Sequence, residues 1–324
     1  MGKYLGRSIA GLFISLGISL FIINLFQIPL DQVLAIPPAL LLSSILLGLV
    51  RFTAQGLRLH LLLIKFADIR IGFTGAIILR GASEFFALTT IPFIADEAAR
   101  TWLLTKRGES VGRAFWISLT EMILDTVVGG FIAVISGLNA LIQHIYYIAL
   151  PILVISIFQI MAVLVFIVAV KSANEGLIVD VVRRLAARLP LPRELRDKVG
   201  HGWGDAVRSL ISWNNLPLFS AQLVTSFVVM STPALVLYLI LSDAVRYGFL
   251  ESLYAFHSGN TLGLLPITVG GSGLTEAGVY LYLSGVLGLV SPATVIQWRI
   301  ATYYIPLIIS GIMLIQAVLK RQGA

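Results

Sequence analysis

Apolar runs of about 20 residues recur from one end of this chain to the other, and no other feature constrains the fold as strongly. A helix needs about 20 apolar residues to cross the ~30 Å hydrocarbon core of a bilayer. Six segments reach that length: Leu5–Phe26, Pro38–Ile64, Val111–Leu138, Ile148–Val170, Leu216–Leu241 and Ala293–Leu319. Charged residues make up 12% of the sequence, about half the usual share in a soluble domain. Lipid is therefore the expected solvent, and an all-α polytopic membrane protein the expected class.

The basic residues give an orientation. With the N-terminus inside, the inside segments are 1–7, 65–72, 106–113, 171–215 and 320–324. They hold 17 of the 23 Lys and Arg residues, while the outside loops hold only Arg246. This is the positive-inside pattern, so the net charge of +7 marks membrane topology and not nucleic-acid binding. Both termini are expected in the cytoplasm and the chain in the inner or plasma membrane. Lys3 and Arg7 precede an apolar run without a small-x-small cleavage site, which predicts an uncleaved first helix.

Two further hydrophobic stretches, Phe73–Lys106 and Gly248–Leu289, are each broken near the middle, at IPFIADEAAR and LPITVGGSG. After the first break only Ala98–Leu104 precede Lys106, about 10 Å of helix at 1.5 Å per residue. That is too short to cross, so the first pair is expected to enter and return from the inside, and the second from the outside. Pro92 and Pro266 remove backbone donors at the turns, and Gly270, Gly271 and Gly273 permit angles that other residues avoid. The plainer reading is two short hairpins sitting low in the membrane.

Residues 38–138 thus read as span, broken pair, span, and residues 216–319 repeat that order upside down. Inverted repeats with discontinuous helices are common in secondary transporters. The expected organisation is a membrane half at 1–170 with its broken pair at about 73–106, a basic linker at 171–215, and a membrane half at 216–324 with its broken pair at about 248–289. Within the linker, 175–189 places Leu177, Val181, Leu185 and Leu189 on one stripe beside Arg183, Arg184 and Arg188. That pattern fits an anionic lipid surface or a packed cytosolic connector, and both readings stay open.

Ionisable residues inside spans are costly and point to function when they have partners. Arg51, Gln55 and Arg58 recur at i, i+4 and i+7 and share one helix face; two guanidiniums there form a candidate phosphate site. Arg80 and Glu84, at i and i+4, read as a local ion pair. Asp96, Glu97 and Arg100 follow the first break, where acids also suit a helix N-terminus. Glu121 and Asp125 lie one turn apart, either carrying a coupling proton or anchoring arginines of neighbouring helices. Glu276 follows the glycine loop and Arg299 lies on the last helix. Five arginines against six carboxylates fit a buried polar cavity.

Signatures of enzymes are weak. His60, His144, His201 and His257 lack metal-ligand spacing, and GGSG has neither the following Lys-Ser/Thr nor the preceding strand of a P-loop. The absence of cysteine removes thiolate sites. No cofactor, metal or nucleotide-binding domain is expected.

Four segments resemble the lysylphosphatidylglycerol synthase transmembrane-region family: LRLHLLL (57–63), IPFIADEAARTWLL (91–104), LTEMILD (119–125) and LLPITVGGSGLTEAGVYLYL (264–283). They run in the family's order, and the last, with its proline, Gly-Gly-x-Gly and Glu, is the most specific. The family includes the lipid-flipping half of the multiple peptide resistance factors and stand-alone proteins thought to move phospholipids or polyprenyl-phosphate carriers. The resemblance implies a lipid flippase with Arg58, Asp96, Arg100, Glu121, Asp125 and Glu276 at matched polar positions. Met122 replaces the arginine of the family's Glu-Arg-x-x-Asp motif. The chain stops at Ala324 with no aminoacyl-transferase domain, so a stand-alone member is expected.

The expected function is translocation of an anionic phospholipid or polyprenyl phosphate, its head group held by Arg58 with Arg51, Arg100 and Arg299. Two rivals remain. One is a membrane-embedded lipid-modifying transferase using Glu121, Asp125 or Glu276 as base. The other is a proton-coupled transporter of a small soluble anion.

Overall fold

A computed structural model of the protein describes residues 2–90, 95–172, 215–241, 248–288 and 290–319. Pro92, Arg246 and the basic stretch 175–189 lie outside the described residues. Those described are helical, without strands. The elements are α1 (Gly2–Leu25), α2 (Leu30–Leu34), α3 (Pro38–Phe66), α4 (Phe73–Thr89), α5 (Ala95–Thr105), α6 (Val111–Ile142) and α7 (Tyr146–Ser172). They continue with α8 (Leu216–Leu241), α9 (Phe249–Gly263), a turn at Val269–Gly271, α10 (Leu274–Leu287), α11 (Pro292–Arg299), a π-helical turn (Ile300–Tyr304) and α12 (Ile305–Leu319).

Six of these helices are long and apolar enough to cross a membrane: α1, α3, α6, α7, α8 and the continuous Pro292–Leu319. Their outward faces carry side chains such as Phe13, Leu42, Phe158, Val224 and Ile308, all exposed. Exposed apolar surface on this scale has only lipid as a compatible neighbour. The protein is a multi-pass membrane protein. Local chemistry sets the helix starts: Pro38 opens α3, and Ser110 and Ser291 cap α6 and α11.

The two interrupted stretches form hairpins. At 17, 11, 15 and 14 residues, their helices α4, α5, α9 and α10 are each about 16–26 Å long at 1.5 Å per residue. The first hairpin begins and ends at one end of the bundle. There the Glu109 carboxylate, just after α5, accepts from the backbone N–H of Asp68, 2.8 Å away and just before α4. The second hairpin closes at the opposite end, where Leu253 and Leu283 share one core. Their tips meet in between: the Gly270 N–H donates to the Thr90 carbonyl at 2.9 Å, and the Tyr303 hydroxyl donates to the Leu88 carbonyl.

Packing repeats with the two halves exchanged. Helix α3 packs on α8, while α4 packs on α12 and α9 packs on α6. The α3–α8 pair is antiparallel. Leu47, early in α3, joins the core holding Ala234–Leu241, and Leu218, early in α8, joins the one holding Leu59 and Leu62. These two apolar cores occupy opposite ends of the bundle. On α3, α6 and α8 the polar residues 51–58, 121–125 and 222 fall between them in sequence, so the charges form a layer in the middle.

The proline inside α8 is locally compensated. Pro233 cannot donate to the Val229 carbonyl, and the Thr232 hydroxyl donates there instead at 2.8 Å. Pro306 lies just beyond the π turn and withholds a donor from the carbonyl one turn before it. The wide turn carries Tyr303 toward the hairpin tips and Tyr304 toward Ser15 and Ser19 of α1.

Candidate functional site

The middle layer holds two polar centres. The larger draws on five helices. From α3, Arg51 reaches Glu84 of α4, and the Gln55 amide donates to the same carboxylate at 3.1 Å. Arg80 pairs with Glu84 at 2.8 Å and with Asp96 of α5 at 3.2 Å. Arg100 joins Asp96, one turn back, to Glu121 of α6, at 2.6 Å from the latter. Arg58 pairs with Asp125 at 2.6 Å and donates to the Glu121 carbonyl at 3.1 Å. Glu121 and Asp125 thus each anchor an arginine from another helix. With Met122 between them, Glu121 takes Arg100 and Asp125 takes Arg58.

Sequence reasoning missed the fifth helix. Gln222 of α8 accepts from Arg58 Nε at 3.3 Å and donates to the Arg58 carbonyl at 3.0 Å, tying α8 to the charges of α3 and α6. A lone glutamine in LPLFSAQLVTSF was its only signal.

The second centre surrounds the glycine loop. Arg299 Nε lies 2.9 Å from Glu276 Oε1, off the hydrogen-bond axis, and its Nη2 donates to the Gly270 carbonyl at 2.9 Å. Its guanidinium carbon stands 3.9 Å from the centre of the Tyr303 ring, a cation–π contact. Glu276 accepts the Gly273 N–H at 2.7 Å, closing the start of α10. Ser15 of α1 meets Ser272 at 2.6 Å. Gly270, Gly271 and Gly273 all have positive φ, and Pro266 is exposed at the start of the loop. Neither the tyrosines nor the serines of this centre were singled out in the sequence.

Burial separates the four arginines expected to meet a substrate. Arg58 and Arg100 are each 1% exposed and spend their donors on carboxylates and carbonyls. Arg299 is buried around the loop. Arg51 differs: its side chain is 19% exposed, and its Nε is buried without an acceptor. It stands at the rim of the charge layer. The larger centre thus holds one partly exposed guanidinium at its edge.

The sequence matches the family model described as the lysylphosphatidylglycerol synthase TM region over residues 8–310. A comparison with curated proteins finds no match. The match takes in both hairpins, the charge layer and the glycine loop, and on that extent the chain belongs to the lysylphosphatidylglycerol synthase transmembrane-region family.

Proposed function

We propose that the protein moves a phosphate-bearing lipid, a phospholipid or polyprenyl phosphate, between the leaflets of the cell membrane. The observation that carries this reading is Arg51, partly exposed at the edge of a buried charge layer whose hairpin tips meet nearby. A lipid phosphate arriving from the side would take Arg51 from Glu84. Glu84 would keep Arg80 and the Gln55 amide, so neither that carboxylate nor the phosphate is left without a partner. The tails would stay in lipid throughout. Arg58, Arg100 and Arg299 hold the layer and the loop together and become contacts only when it opens.

In this reading the two hairpins are re-entrant from opposite sides, and parting their tips alternates access. The end carrying Lys65, Arg70, Lys106 and Arg113 is cytoplasmic by charge bias, with both termini on that side. The reading involves no covalent chemistry, and the family name adds support because it concerns a lipid.

The test is purified protein in vesicles with labelled phosphatidylglycerol, followed by leaflet accessibility over time. Wild type is expected to speed exchange while leaving the lipid's mass unchanged. Arg51→Gln is expected to slow exchange about tenfold or more, for one charge-assisted hydrogen bond worth ~1.5–3 kcal/mol. Full activity in Arg51→Gln would exclude Arg51 as the phosphate contact. A lipid altered in mass would instead establish a transferase.

A further inference from the structure

The charge layer holds one carboxyl more than its arginines use. Arg51, Arg58, Arg80 and Arg100 pair with Glu84, Asp125, Asp96 and Glu121, four cations against four anions. Arg299 and Glu276 form a separate pair. Glu97 is left over. It is 6% exposed, makes no ion pair among the described residues, and its Oε2 lacks any hydrogen-bond partner. Its position in the first turn of α5 offers the partial positive charge of a helix N-terminus, which Asp96 beside it already uses.

An ionised carboxylate this deeply buried needs a counter-charge, or it takes up a proton and becomes neutral. The charged groups on the elements packed around α5 are Arg80 and Glu84 of α4 and Arg113, Glu121 and Asp125 of α6, with Asp96 and Arg100 on α5 itself. All three arginines in that set are already shared between two carboxylates. A metal cation would need several converging oxygens, and among the described residues no three carboxylates or imidazoles converge on a metal site.

We propose that Glu97 is a proton-binding site: its carboxyl is protonated in this arrangement and releases the proton when the charge layer rearranges. The first part stands on the geometry alone. The second rests on the translocation reading and deepens it, since it makes lipid movement proton-coupled. A phosphate that takes Arg51 from Glu84 adds one negative charge to the layer, which favours the protonated carboxyl, so Glu97 keeps its proton while the lipid is bound. Once the lipid has left and the parted tips admit water, the proton departs to that water and leaves a carboxylate, and no other bond is made or broken.

Two measurements on the full-length protein test this separately. Infrared spectroscopy at neutral pH is expected to show the carbonyl stretch of a protonated, buried carboxyl in wild type and to lose it in Glu97→Gln. Thermal stability should be unchanged, because the amide replaces a neutral group of nearly the same shape. A missing band in wild type, its persistence in Glu97→Gln, or its loss on adding sodium at constant pH would overturn the assignment. In vesicles with a pH difference of one unit, wild type should drive labelled phosphatidylglycerol to an asymmetry approaching tenfold, for one proton per lipid, the ratio that one pH unit represents. Glu97→Gln should exchange the lipid without accumulating it. Accumulation that survives in Glu97→Gln would overturn the coupling role. If wild type moves no lipid, translocation fails, and the infrared band still decides the proton site.

Discussion

Arg100→Leu is expected to destabilise the protein by about 3–5 kcal/mol, the usual cost of removing one partner from a buried ion pair. Arg100 is 1% exposed and serves Asp96, Glu121, the Ser118 carbonyl and the Ser83 hydroxyl. Leucine fills much of the space but leaves Glu121 with only a 3.9 Å approach from Arg80. Against a typical total of about 5–15 kcal/mol, this loss should appear as lower yield and a large drop in midpoint when unfolding is followed in detergent. The double variant Arg100→Gln with Glu121→Gln removes the charge and its counter-charge together, and is expected to recover more than half of the loss. Equal stability of Arg100→Leu and wild type would mean that the layer is not held by these pairs.

Gly270→Ala is expected to part the hairpin tips. Gly270 sits at φ 56° and ψ 22°, a left-handed conformation that costs a residue with a Cβ about 1–3 kcal/mol. The added carbon would also stand 2.6 Å from the Leu88 carbonyl oxygen and 2.7 Å from the Tyr303 hydroxyl. The Leu88 carbonyl belongs to the other side of the contact and the Tyr303 hydroxyl donates to it, so relief requires separating the loop from the end of α4. The expected result is a protein that still folds, because its two apolar cores lie away from the tips, but whose loop exchanges amide hydrogens faster around residues 269–273. Unchanged exchange there would show that the tips tolerate the added methyl in place.

Much of this architecture was legible in the sequence because lipid imposes a length rule on every span. The start of α3 at Pro38 and both ends of α8 match the expected residues, and the breaks in the two hairpins lie where proline and glycine interrupt the apolar pattern. Helices α6 and α7 run a few residues beyond their expected ends, since apolarity alone does not mark where a helix stops. The short α2 and the π turn were not visible: the first is one turn long, and the second depends on how Pro306 is accommodated. The family, too, was legible from four segments in order.

At the site, the sequence identified the charged residues but not their pairing. Spacing along one helix linked Arg80 to Glu84, yet Glu84 also binds Arg51 from α3, and Arg58 reaches across to Asp125 and Gln222. Such contacts depend on which faces the helices turn toward one another, and a single sequence does not carry that. Exposure, which separates Arg51 from Arg58 and Arg100, was hidden for the same reason.

The central claim is that lipid crosses through this layer by parting the two hairpin tips. The chain has no cysteine, so Thr90→Cys with Val269→Cys can be tied by a short reducible cross-linker in reconstituted vesicles. Phosphatidylglycerol exchange is expected to fall to the protein-free rate when the tips are tied and to return on reduction. Exchange that continues at full speed with the tips tied would contradict it.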